Sequence, residues 1–139
     1  MIDLKTIVLP AKGAIVTLPQ ILKICEQLGL TELKQHIEND PPPKPFKSDG
    51  CSWFPDVVGP VDLYAVCFKH DLAYWAGYPH PNYKQAAEEE RERFVADATL
   101  MIDAVRAGLD PRIAETMFAG VRAGGTGSWR QPFSWGYGR

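Results

Sequence analysis

The stretch Val66-Cys67-Phe68-Lys69-His70-Asp71-Leu72-Ala73-Tyr74-Trp75 decides how this chain is read. At 3.6 residues per turn, Cys67, His70, Asp71 and Tyr74 fall on adjoining lines of one helix face. That face carries a sulfur, an imidazole, a carboxylate and a phenol beside the apolar Leu63, Val66 and Ala73. Polar groups in apolar company are costly unless each finds a partner. A site with its own chemistry is therefore expected, and its remaining parts must come from elsewhere in the chain.

Gly77, Pro79 and Pro81 end this helix, expected over 61–76. A second long helix is expected over 83–107, and a short link makes the two pack antiparallel. Asp97 then returns opposite the middle of the first helix, at the core-facing border of its own. An aspartate there can accept a hydrogen bond from one nitrogen of His70, which fixes the tautomer and leaves the other nitrogen as a base. Tyr74, one turn beyond His70, is placed to donate its hydroxyl to the same carboxylate. Asp71 is expected to point the other way, toward the loop 46–60, where a hard cation could collect it with backbone carbonyls.

These residues resemble the secretory-type phospholipase A2 fold. The family signature, Cys-x-x-His-Asp-x-x-Tyr on one helix with a second aspartate on the facing helix, is matched by Cys67, His70, Asp71, Tyr74 and Asp97. The family joins the motif cysteine to one in the preceding calcium loop, and Cys51 stands 16 residues before Cys67. Many members carry a further bridge whose two positions are Val66 and Asp103 here, so both partners are absent together. Ser48-Asp49-Gly50-Cys51-Ser52, Phe54-Pro55-Asp56 and the Trp135-Gly136-Tyr137-Gly138 end are similar to small bacterial and phage proteins related to that fold.

The resemblance covers about residues 46–107. It implies a mainly α-helical domain, with two long antiparallel helices preceded by a calcium-binding loop. It also implies calcium-dependent hydrolysis of the sn-2 ester of phospholipids, hence lipid degradation at a phospholipid membrane surface. His70 would be the general base on a water, Asp97 would orient the imidazole and Tyr74 would support Asp97. Asp71, with the loop around Asp49, Gly50 and Ser52, would hold Ca2+, and a loop N–H would complete the oxyanion site. The glycine-rich loop of the animal enzymes is replaced by Ser52, Trp53, Phe54 and Pro55, so the loop geometry is expected to differ.

Composition sets the outer bounds. At 139 residues, with 45% hydrophobic and 23% charged residues, the chain has the make-up of a globular domain. A net charge of −2 argues against a nucleic-acid binder working by phosphate neutralisation. No apolar run reaches the ~20 residues of a membrane span. No signal peptide is visible, which leaves retention inside, a signal-independent export route or a removed leader. Three cysteines are too few for a disulfide-dense scaffold: Cys51 and Cys67 can form one bridge or stay reduced, and Cys25 reads as a buried thiol.

Residues 1–45 read as an N-terminal helical extension and a proline-rich linker, and 46–139 as the phospholipase A2-like domain. Within the extension, 1–16 is a small hairpin or an extended arm. Thr17 and Gln20 form a capping box for a helix with Leu18, Ile21, Leu22, Cys25 and Leu28 on one stripe. Thr31 is expected to cap a short second helix, and 40–45 to be a stiff polyproline spacer. Glu88 to Arg93 reads as a solvated stretch, and Phe94, Ala98, Met101 and Val105 as a core stripe. Asp110-Pro111 opens a third helix to about residue 122.

Trp53, Phe54, Trp75, Trp129, Phe133 and Trp135 are candidates for an interfacial ring or for core packing. Arg122, Arg130 and Arg139 read as contacts to anionic lipid or as plain solvated charges, and His36 and His80 as surface residues. Two rivals to the hydrolase stand beside it. One is a non-catalytic binding or structural module of the same fold, such as an effector's adaptor or a phage component. The other is an interaction protein stabilised by zinc on Cys51, Cys67, His70 and His80.

Overall fold

The structure is a computed structural model that describes residues 3–52, 54–79, 83–126 and 133–139. It is mainly helical. Five helices are seen among these residues: α1 (Leu18–Gln27), α2 (Thr31–Asn39), α3 (Tyr64–Ala76), α4 (Tyr83–Arg106) and α5 (Pro111–Gly124). A 3-10 turn, Leu4–Thr6, precedes them. Two minimal antiparallel ladders complete the fold: β1 (Ile15–Val16) on β2 (Phe46–Lys47), and β3 (Val57–Val58) on β4 (Val61–Asp62).

Local chemistry explains where several helices begin. The Thr17 hydroxyl accepts from the Gln20 N–H while the Gln20 side chain accepts from the Thr17 N–H, so the capping box of α1 is formed as expected. Asp110 Oδ1 accepts from the Arg112 N–H at 2.8 Å, with Pro111 just inside α5. Two starts differ from expectation. The N-cap of α2 is Leu30, with no side-chain cap, and Thr31 is its first helical residue. Val61 and Asp62 belong to β4, so α3 begins at Tyr64, whose N–H is taken by Asp62 Oδ1.

α3 is the axis, and apolar clusters lie on both of its sides. Phe68, Leu72, Trp75 and Ala76 pack with Ile21, Cys25 and Leu28 of the α1 segment, Ile37 of α2 and Phe46 of β2. Side chains from 1–45 and from 46–139 thus share one cluster. Val66 and Cys67 instead pack with Leu100 and Ala104 of α4 and with Ala114 and Met117 of α5. A helix apolar on nearly all sides is one buried on nearly all sides. Of the expected α1 stripe Leu18 is exposed, and Ile24, outside that stripe, is buried. Cys25 is the buried free thiol expected, and burial, partly countered by Lys34, pushes it up to about 11.

Residues 3–16 do not close on themselves as a hairpin. Val16 pairs with Phe46, so the segment following the prolines returns to the N-terminal strand. Trp75 and Trp135, at 2% and 5% exposure, are core residues and leave the proposed interfacial ring. Trp53 and Trp129 lie outside the described residues, as do His80 and Arg130.

α3 and α4 run antiparallel. Lys69 meets Asp103, His70 meets Asp97, Tyr74 meets Arg93 and the Tyr78 N–H meets Glu89, the α4 number falling as the α3 number rises. The core stripe of α4 is only in part the one expected: Met101 packs against the core cluster. Phe94 and Val105 are exposed, and the inward positions are Arg93, Asp97, Leu100 and Ala104.

Candidate functional site

The centre of the molecule is a carboxylate. Asp97 is fully buried, and its two oxygens accept from four side chains. Oδ1 takes the His70 ring at Nε2, 2.7 Å away, and the Tyr74 hydroxyl at 2.6 Å. Oδ2 takes Arg122 at 2.9 Å and Arg93 at 3.4 Å. An ionised carboxylate only accepts, so the His70 proton in this pair sits on Nε2. Nδ1 has no hydrogen-bond partner among the described residues, which leaves it available as a base. Burial, then the Asp97 charge, push the Tyr74 hydroxyl far above its ordinary value, so it remains a neutral donor. The backbone closes tightly behind it: a Cβ on Gly125 would stand 2.6 Å from the Tyr74 hydroxyl oxygen.

Asp71 lies on the next line of α3 and turns away from Asp97. Its Oδ2 is sealed from solvent and accepts no hydrogen bond. Burial first, then the neighbouring Asp49 and Asp56, push its carboxyl well above the usual carboxylate range. Two acids, Asp71 and Asp49, thus face each other with one buried oxygen unpartnered. Such an arrangement suits a hard cation that prefers oxygen ligands. Among the described residues no group of three or more His, Cys, Asp or Glu side chains forms a metal cluster. Further oxygens would have to come from loop carbonyls and from the Ser52 hydroxyl, which donates to Asp49 Oδ2 at 2.9 Å.

The loop is tied down beside these acids. Cys51 and Cys67 form a disulfide, so neither sulfur is a thiolate open to zinc. Gly50 has φ +72°, a left-handed conformation that favours glycine, and a Cβ there would collide with the Asp56 carboxylate. Asp56 Oδ1 accepts from the Cys51 N–H at 2.8 Å and Oδ2 pairs with Lys12 at 3.0 Å. The Tyr137 hydroxyl donates to the Asp71 carbonyl at 3.2 Å, so the C-terminal segment also braces this turn of α3.

His70 borders two hollows. One, about 470 Å³, is walled mainly by apolar groups of the loop, α3 and α5, including Phe54, Met117, Val121 and Phe133, and it touches Asp71 and Gly50. The other, about 790 Å³, runs between α2, α3 and α4 past Glu88, Glu89 and Glu92, and it touches neither Asp71 nor the loop. The smaller hollow is the one where the imidazole, Asp71 and an apolar wall meet. Its size suits a ligand with a hydrophobic arm.

Two residues of this site went unread in the sequence. Arg93 falls in a stretch that reads as solvated in the sequence, yet it is buried at 4% exposure. Arg122 reads in the sequence as a contact to anionic lipid or a solvated charge, yet it pairs with Asp97 and Glu90. A spacing of four between Arg93 and Asp97 on one helix was the only available signal. His36 is likewise no plain surface residue: its Nε2 lies 2.8 Å from the Ala76 carbonyl and its ring stacks edge-on with Tyr78. Arg139 holds the Ala76 and Gly77 carbonyls at the end of α3. No known family model, no curated protein and no solved structure matches this chain.

Proposed function

We propose that the chain is a calcium-dependent hydrolase of the phospholipase A2 type, cleaving the sn-2 ester of phospholipids at a membrane surface. The observation that carries this reading is the His70 Nε2–Asp97 contact at 2.7 Å across two antiparallel helices, which presents the opposite ring nitrogen beside an apolar hollow. A base within reach of a positioned water typically contributes ~10²–10⁴-fold to hydrolysis.

In this reading His70 Nδ1 takes the proton of the attacking water and later returns it to the leaving oxygen. Asp97 keeps the ring in one tautomer and balances the imidazolium as it forms. Tyr74 donates its hydroxyl to Oδ1 of Asp97 and holds that oxygen in place. The apolar wall of α5 takes the acyl chain. Asp71 and Asp49, with Ser52 and carbonyls near Gly50, would hold the ion. Calcium bound there supplies positive charge for the substrate phosphate and for the ester carbonyl oxygen. The unpartnered Asp71 oxygen supports this assignment, because it lacks the partner a buried carboxylate requires.

The test uses the whole chain and phosphatidylcholine–phosphatidylglycerol vesicles. Fatty acid release is expected with calcium and lost with chelator, and His70→Ala and Asp71→Asn are each expected to reduce it to background. Release that persists in His70→Ala overturns the mechanism. A native chain that binds calcium and vesicles yet releases nothing identifies a non-catalytic module instead.

A further inference from the structure

Four donors converge on Asp97, and the proposed hydrolysis uses only two of them. The other two, Arg93 and Arg122, reach Oδ2 from different helices, one from α4 itself and one from α5. With His70 and Tyr74 on Oδ1, the roughly four lone-pair sites of the carboxylate are all occupied. A carboxylate with no solvent contact needs compensating charge, and two guanidiniums supply it.

The arginines are themselves held in place. Arg122 forks between Asp97 Oδ2 and Glu90, so one planar group spans two acids about two turns apart on α4. Arg93 donates to both Glu90 oxygens at 3.0 Å, to the Tyr74 hydroxyl at 3.2 Å and to the Val121 carbonyl at 3.1 Å. It also donates to the Arg122 carbonyl at 3.3 Å, so one arginine fixes the backbone that presents the other. The two acids and two arginines balance in charge. The arrangement orients Oδ1 by immobilising Oδ2.

We propose that Arg122, seated by Arg93, is a positioning residue that aims the Asp97 carboxylate at His70. It touches neither the imidazole nor the hollow where substrate would lie, and acts only through Asp97. The inference rests on the reading of His70 and Asp97 as base and orienting acid, but its own consequence can be observed without turnover. Removing Arg122 leaves Oδ2 with the longer Arg93 contact alone, and Oδ1 becomes free to swing away from Nε2. The His70 Nε2 proton, now sheltered against a buried carboxylate, then meets water more often.

The experiment follows that proton by NMR in the full chain labelled with 15N-histidine. Arg122→Gln is expected to speed its exchange with water about tenfold or more, the scale of one lost charge-assisted hydrogen bond. Arg122→Lys, which restores the charge without the fork, should recover part of that protection. Lys69→Gln, which breaks the α3–α4 ion pair to Asp103 without touching Asp97, is the control for loss of stability alone. Exchange unchanged in Arg122→Gln, or raised equally in Lys69→Gln, overturns the proposal. In the vesicle assay, Arg122→Gln should lower kcat about tenfold with KM unchanged. A native chain that releases no fatty acid while the proton still responds to Arg122 sinks the hydrolase reading and keeps the positioning role. A native chain that turns over, with an unresponsive proton and an unchanged kcat, does the opposite.

Discussion

Glu90 shows how much a single exposed-looking acid depends on its neighbours. Burial alone would push its carboxyl up, but hydrogen bonds from Arg93 and Arg122 outweigh that and hold it below the ordinary carboxylate range. A carboxylate depressed in the folded state binds fewer protons there than in the unfolded chain. Its contribution is therefore complete above the unfolded value of about 4.3 and disappears as pH falls through the lower folded value. Urea midpoints measured between about pH 6 and pH 3 should fall with acid, and Glu90→Gln should flatten that fall. An identical slope in the variant would show that Glu90 is not linked to folding. From the sequence Glu90 is one of three adjacent glutamates, and only its neighbours in space distinguish it. His70, Asp71 and Tyr74 were legible because i, i+1 and i+4 positions on one helix have a determined relation whatever the rest of the chain does.

At the scale of elements, the loop before α3 and the helix itself act as a unit through one cross-link. The Cys51–Cys67 bridge closes a stretch with a sequence separation of 16 and holds Asp49, Gly50 and Ser52 beside Asp71. Closing a loop near that length stabilises by about 3 kcal/mol in the chain-entropy model. Reduction by dithiothreitol, or Cys51→Ser with Cys67→Ser, should lower stability by about that amount. In the proposed function it should also weaken calcium binding, read by isothermal titration, more than any comparable change remote from the loop. Equal calcium affinity in the oxidised and reduced chains would show that the bridge supports the fold and not the loop. The phase of α4 is not legible in the sequence. Its apolar Phe94, Ala98, Met101 and Val105 suggest an inward stripe, yet the inward side carries Arg93 and Asp97. Periodicity counts apolar side chains, so it fails where a helix turns a satisfied charge network inward. Phe94, left outside, rests edge-on against Phe118 and beneath Arg122.

For the whole molecule, the N-terminal helices matter to the site although none of their residues reaches Asp97. Ile21 and Cys25 pack against the face of α3 opposite the imidazole, in the cluster that contains Phe68, Leu72 and Trp75. Ile21→Ala should cost about 2–5 kcal/mol, the range for a large aliphatic truncated in a core. Because that cluster is shared, the loss should appear as a lowered single transition, with far-UV and tryptophan signals moving together. Two separated transitions would show that residues 1–45 fold as an independent unit. Among the described residues no helix is long and apolar enough to cross a membrane.

By itself the sequence determined what depends on near neighbours along the chain. The capping box at Thr17 and Gln20, the Asp110-Pro111 start and the shared face of Cys67, His70, Asp71 and Tyr74 all follow from helical geometry over a few residues. Tertiary structure alone decided which side of α4 turns inward, that Arg93 and Arg122 close on Asp97, and that the strand after the prolines returns to Val16. The first two outcomes depend on satisfying a buried carboxylate with donors from three helices, and the third on backbone pairing between distant strands. The carboxylate's partners are 4 to 27 residues away along the chain, and only packing brings them within a hydrogen bond.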